Sequence, residues 1–233
     1  SKKVIVIALL ANLLIALTKF VASYFTKSSA MFSEGIHSVV DTTNQVILLY
    51  GISRAAKPAD VKFPFGYGKE VYFWGFIVSI MIFGLGGGIA IYEGITHMLD
   101  PHPIASPLIN FAVLGVAIVI ESWSCYVAMK EFNKMRDGQP VLGAIKDSKD
   151  PSLFVILLED LAALAGLVVA FCGLVISQIS GNVYVDGATS VVIGLVLGLV
   201  AWFLSKETKG LLIGESADPK IVNFVREKLQ NSV

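Results

Sequence analysis

The chain has 233 residues, 55% of them hydrophobic and only 15% charged, against about 25% charged in an ordinary soluble domain. Eighteen basic residues balance eighteen acidic ones, so no overall basic field argues for nucleic acid as a partner. Three histidines and two cysteines exclude a Cys-rich zinc module; Cys125 and Cys172 both lie in apolar runs and read as small buried hydrophobes rather than as a disulfide.

A helix needs about 20 apolar residues to cross a bilayer core, and lipid tolerates only backbones that satisfy their own hydrogen bonds. Six segments meet that need, at 4–26, 30–52, 71–96, 107–130, 152–177 and 184–205, and they predict an all-α, six-helix transmembrane bundle. Lys2 and Lys3 precede the first run as they would in a signal peptide. No small-residue cleavage site interrupts the run, so it reads as a retained span.

The second segment carries SEGIHSVVDTTNQ, a costly insertion at bilayer depth. Glu34, near the start of the span, reads as a helix-start carboxylate at the headgroups. His37 and Asp41 are four apart and share one helix face, which Asn44, Gln45 and Leu48 extend. Imidazole and carboxylate so placed can reach one divalent cation; the alternative is a His–Asp hydrogen bond gluing two helices. Membrane depth favours the ion-pathway reading, because paired ionisable groups there usually mark one.

The following loop contains FPFGYGKE, where Gly66 and Gly68 suit a turn and Lys69 and Glu70 the start of the third helix. With only Asp60 and Glu70 as acids, no second metal site is expected in it. The third span holds GLGGGIAIYEG, with Gly84 and Gly88 at GxxxG spacing and Gly86 and Gly87 between. Gly194 and Gly198 repeat the pattern in the sixth span, and both sets predict close helix packing. His97 and His102, on either side of the third-to-fourth connection, read as exposed loop residues. Glu121, midway along the fourth span, either bonds a neighbouring helix or sits in an aqueous cavity. The fifth span has adjacent Glu159 and Asp160 as its ionisable groups, projecting about 100° apart on a helix. Asp186 opens the sixth span and reads as a helix-start residue. The last stretch, ADPKIVNFVREKLQNSV, is polar, with Ile221, Phe224, Val225 and Leu229 at helical spacing and a helix start at Asp218 and Pro219. It reads as the first helix of a soluble domain.

Basic residues alternate between connections. Arg54, Lys57, Lys62 and Lys69 follow the second span; Lys130, Lys134, Arg136, Lys146 and Lys149 follow the fourth; Lys206, Lys209, Lys220, Arg226 and Lys228 follow the sixth. Segments 97–106 and 178–183 have no Lys or Arg, and the first turn has only Lys27. By the positive-inside rule both termini are expected to be cytoplasmic, in a multi-pass protein of the cell inner membrane.

NLLIALTKFVASYFTKSSAMFSEGIHSVVDTTNQ, PFGYGKEVYFWGF, LEDLAALAG and VDGATSVVIG, in this order and spacing, resemble the cation diffusion facilitators, six-helix transporters of zinc and other divalent metals. The adjacent Glu-Asp resembles one branch of that family. The resemblance implies a homodimer, exchange of metal against protons, and a cytoplasmic ferredoxin-like domain after the sixth helix. It implies a four-ligand transport site in which His37 and Asp41 match the second-helix pair and Asp160 matches the fifth-helix aspartate. Ile156 stands where zinc transporters often have His, leaving Glu159 or a water for the fourth place. One imidazole among carboxylates suits Zn2+ and also Mn2+, Fe2+ or Co2+. Other readings are a metal channel or uniporter, a scaffold subunit with a degenerate site, and an intramembrane metalloenzyme. The last lacks an HExxH or a nucleophile motif, so no enzyme is expected.

Overall fold

A computed structural model describes residues 2–104, 106–135, 140–147, 151–216 and 219–230. Six long helices form the bundle: Lys2–Thr26, Ser29–Ala55, Glu70–Leu99, Pro107–Met135, Pro151–Ser180 and Tyr184–Ile213, hereafter the first to sixth spans. Each contains its predicted segment and runs a few residues further, because a helix continues past the lipid boundary into its polar ends. Among the described residues, the third to sixth spans are long and apolar enough to cross a membrane, and Asn12–Thr26 is a shorter apolar stretch. The second helix falls short on hydropathy because of its polar insertion.

That helix is organised inside out. Its buried residues include Ser29, Ser33, Glu34, His37, Ser38 and Asn44, whereas Val39, Val46, Leu49, Tyr50 and Ile52 are exposed. Such a distribution suits a solvent that is apolar outside and a bundle that is polar within. Apolar packing completes the interior through Met31, Ile82, Phe154, Leu157, Leu167 and Ile193. Cys125 is buried as expected; Cys172 instead is exposed on the bundle's surface, and both thiols are free.

Two close devices hold the helices in register. In the third span, Ile82–Gly87 forms a π-helical turn between two α-helical stretches. Its wider turn rotates all later residues relative to a pure α-helix. As a result Gly84 faces open space and Gly88 meets only its own helix, contrary to the GxxxG reading. The close approach is made by Gly87 against Gly194 and by Gly94 against Gly187, seven residues apart on each of two antiparallel helices. A Cβ on Gly94 would lie 2.5 Å from the Gly187 carbonyl oxygen. Gly198 adds to the same seam, its backbone N 3.4 Å from where a Cβ on Gly87 would sit.

The second device joins distant termini. Ser28 caps the second helix, its hydroxyl accepting from Met31 N–H. Asp186, in the first turn of the sixth span, takes over the remaining donors: Ser28 Oγ at 2.6 Å, Ser29 Oγ at 2.9 Å, and the backbone N–H groups of Ser29 and Ala30. Asp186 therefore neutralises the start of the second helix rather than only its own, a correction to the sequence reading. His97 is also corrected: its side chain is nearly buried, with Nε2 3.8 Å from Asp186, whereas His102 is exposed.

The loop between the second and third spans is built on Asp60, whose carboxylate accepts from Lys62 N–H, Phe63 N–H and the Tyr67 hydroxyl at 2.7 to 2.9 Å. Gly66 takes the left-handed conformation (φ 78°) that the turn requires. The Tyr67 hydroxyl and the two amides hold the Asp60 carboxyl below the usual carboxylate range. A lowered native pKa stabilises the loop at neutral pH, and that contribution is lost as pH falls through the lowered value. Amide exchange at Lys62 and Phe63 should therefore stay slow from pH 7 to pH 5 and become fast at neutral pH in Asp60→Ala. Equal protection in the variant would count against this arrangement.

Among the described residues, two short helices lie outside the spans. Val141–Asp147 interrupts the connection after the fourth span and buries Ile145; the sequence reading left this segment as a plain connection. Pro219–Gln230 forms where helical spacing predicts one, with Phe224, Val225 and Leu229 exposed. Asp218, Arg136 and Lys149 lie outside the described residues.

Candidate metal site

Halfway along the second span, Asp41 lies one turn from His37, with Oδ2 3.4 Å from His37 Nε2. Neither ring nitrogen of His37 has a hydrogen-bond partner, nor does Asp41 Oδ1, although all three atoms are buried. Buried polar atoms without partners are costly, and three of them fall together here.

The fifth span meets this face from across the bundle. Asn44 Nδ2 donates to Glu159 Oε1 at 2.5 Å, and Glu159 faces the same cavity as Asp41. Asp160 points away from Glu159, as adjacent helical residues must, and accepts from Ser124 of the fourth span at 2.9 Å. Between these groups is a cavity of about 30 Å3 lined by Asp41, Glu159, Asp160, Glu121, Ser124 and Gln45, among others. The space holds about a water or two. The second, fourth and fifth spans thus aim four carboxyl groups at one small chamber.

Of the predicted ligands, Asp41, Glu159 and Asp160 line the chamber. His37 does not line it; the ring touches Asp41 from behind. Glu121, for which two roles were open, faces the chamber. Ile156 packs against the apolar core. Among the described residues, no three His, Cys, Asp or Glu side chains are grouped closely enough to chelate an ion as a set. The angle between Glu159 and Asp160 accounts for this: one turns to Asp41 and Asn44, the other to Ser124.

Glu34 is the clearest departure from the sequence reading. It is fully buried inside the bundle. Lys19 of the first span reaches it, with Nζ 3.1 Å from Glu34 Oε2 and 2.8 Å from Ser38 Oγ, and Ser38 also lines the chamber. Sequence reasoning passed over Lys19, though a single lysine within an apolar span is itself the signal of a buried partner.

An all-α, multi-pass membrane protein with an acidic chamber enclosed by its helices has the architecture of a cation transporter. A family model described as the cation efflux transmembrane domain matches residues 5–213, and the chain belongs to that family, the cation diffusion facilitators. Its members are transporters, not enzymes. The chain is 36% identical over 231 residues to the proton-coupled zinc antiporter SLC30A9, mitochondrial, of Homo sapiens, covering 98% of this chain and 41% of that protein. It is 33% identical over 233 residues to metal tolerance protein C4 of Arabidopsis thaliana, covering 99% and 51%. It is 27% identical over 223 residues to the manganese efflux system protein MneP of Bacillus subtilis (strain 168), covering 95% and 72%. The chain therefore spans about two-fifths to one-half the length of the first two relatives.

Proposed function

We propose that this chain is the membrane domain of a divalent-cation efflux carrier that exchanges metal, zinc foremost, against protons by alternating access. The observation that carries the reading is the chamber into which Asp41, Glu159, Asp160 and Glu121 converge from three helices. In the proposed cycle a cation enters from the cytoplasmic side and is held by Asp41, Asp160 and Glu159, with His37 turning in beside Asp41. Ligands must be deprotonated to bind, so the arriving metal expels protons from the carboxyl groups of the chamber. Rocking of the helices then opens the chamber to the other side, where protons displace the metal and return with the site. A movement that swings Asp160 and Glu159 onto one ion distinguishes the binding state from this arrangement.

Residues 1–210 constitute the transmembrane domain in this reading. Residues 211–233, with the helix Pro219–Gln230, belong to a cytoplasmic domain, both termini are cytoplasmic, and the protein works as a homodimer. A second reading concerns the cargo. Ile156, packed into the core, removes one imidazole from the ligand set, and a carboxylate-rich site also suits the harder ions Mn2+ and Fe2+.

The test is metal uptake into proteoliposomes containing this chain, with Zn2+, Mn2+ and Fe2+ compared under an imposed pH gradient. An acidic interior should accelerate metal entry several-fold, because each ion entering is exchanged for protons leaving. Flux that ignores the gradient would sink the exchange mechanism, and absence of flux for all three ions would sink the carrier reading.

A further inference from the structure

Two helical turns from the chamber, the same two helices come together at another buried carboxylate. Glu34 lies seven residues before Asp41 on the second span, and Gly166 lies seven residues after Glu159 on the fifth. Because the helices run antiparallel, these steps of about 10 Å lead to the same level of the bundle. A Cβ on Gly166 would lie 2.7 Å from Glu34 Oε1. The glycine thus leaves Glu34 its room, beside Ile193 of the sixth span.

Several groups here are unsatisfied. Glu34 Oε1 has no hydrogen-bond partner, and neither do the two nitrogens of His37, which lies between Glu34 and Asp41 on the helix. The other Glu34 oxygen binds the Lys19 ammonium, which bridges to Ser38 at the wall of the chamber. A positive group is therefore already seated on Glu34, tethered by its own chain and bonded at once to this position and to the chamber's wall.

Resting on the carrier reading above, we infer that Glu34 forms a second cation station on the path leading from the chamber toward the Asp186 end of the bundle, with His37 lying between it and the first site, and that the Lys19 ammonium is its resident counter-cation. A divalent ion leaving Asp41, and the His37 imidazole beside it, next meets Glu34 Oε1 and displaces the ammonium toward Ser38. When the ion has gone the ammonium returns, so Glu34 is never left as a bare buried charge, which would cost several kcal/mol. The lysine thereby holds the station closed to a second ion and opens it to one arriving from the chamber.

The test uses Zn2+ itself with two altered proteins. Lys19→Met/Glu34→Gln removes the pair together, avoiding an uncompensated charge, and Gly166→Ala places a methyl group against Glu34 Oε1 in a residue that favours helix. Both should bind zinc with affinity within roughly threefold of wild type by calorimetry while zinc flux falls at least about tenfold, the mark of a step after binding. Wild-type flux in Gly166→Ala or in the double variant overturns the inference, as does a parallel loss of affinity in Gly166→Ala, which would make Glu34 part of the first site or its scaffold. Should the double variant fail to fold, Gly166→Ala alone decides. Asp41→Asn serves as the reference: wild-type flux in that protein, or none in the unaltered one, overturns the carrier reading and this one with it.

Discussion

Asp41→Asn is expected to reduce metal flux at least about 100-fold, beyond the 10–100-fold cost of losing an outer-shell partner at a metal site. The substitution changes almost no volume, so helix packing should survive. What disappears is the negative charge at a residue 3.4 Å from His37 that faces the same chamber as Glu159. An amide offers one neutral oxygen and an N–H pair that repels a cation. Zinc binding by calorimetry and zinc uptake should therefore fall together. If Asp41→Asn protein with a normal melting profile retained half the wild-type uptake, the chamber could not be the transport site. Asp160→Asn should act in the same direction but less severely, because Ser124 already satisfies one oxygen of Asp160 and would still orient an amide there.

The parts of this architecture legible in the sequence are those encoded by local spacing. The i, i+4 relation of His37 and Asp41, the adjacent acids at 159 and 160, and the apolar runs each follow from helix geometry and the solvent. The misread parts depend on partners far away in the chain. Asp186 binds Ser28 and Ser29, and its acidic position in a first turn suggested only its own helix. Glu34 sits near a predicted boundary, and nothing local to it reveals that Lys19 folds back to meet it. The GxxxG reading failed for a different reason: the π turn at Ile82–Gly87 changes the phase of the third span, and hydrophobic periodicity cannot see a turn one residue too wide. Gly87 and Gly94, paired with Gly194 and Gly187, show that a seven-residue glycine spacing on both helices was the informative pattern.

The seam those glycines make should be the part of the bundle least tolerant of added volume. Gly94→Val is expected to destabilise the protein by about 3 kcal/mol or more, at the upper end of the cost of overpacking. The new Cβ would lie 2.5 Å from the Gly187 carbonyl oxygen and 2.8 Å from Val191 N and Cγ2. Two of these three atoms are backbone, so no rotamer change can relieve the contact; the third and sixth spans must move apart. Separation also carries Asp186 away from Ser28 and Ser29, because that carboxylate rides on the sixth span while the groups it satisfies are on the second. The buried donors at the start of the second helix would then lose their acceptor, adding to the damage and disturbing the helix that presents His37 and Asp41. Gly115→Ala provides the comparison within the same lipid-spanning bundle: nothing lies within 4 Å of its Cβ position, and alanine is the better helix former, so this variant should melt at or above the wild-type temperature. Thermal unfolding in detergent separates the two outcomes, and a Gly94→Val protein as stable as Gly115→Ala would mean that the third and sixth spans do not approach as closely as their glycines require.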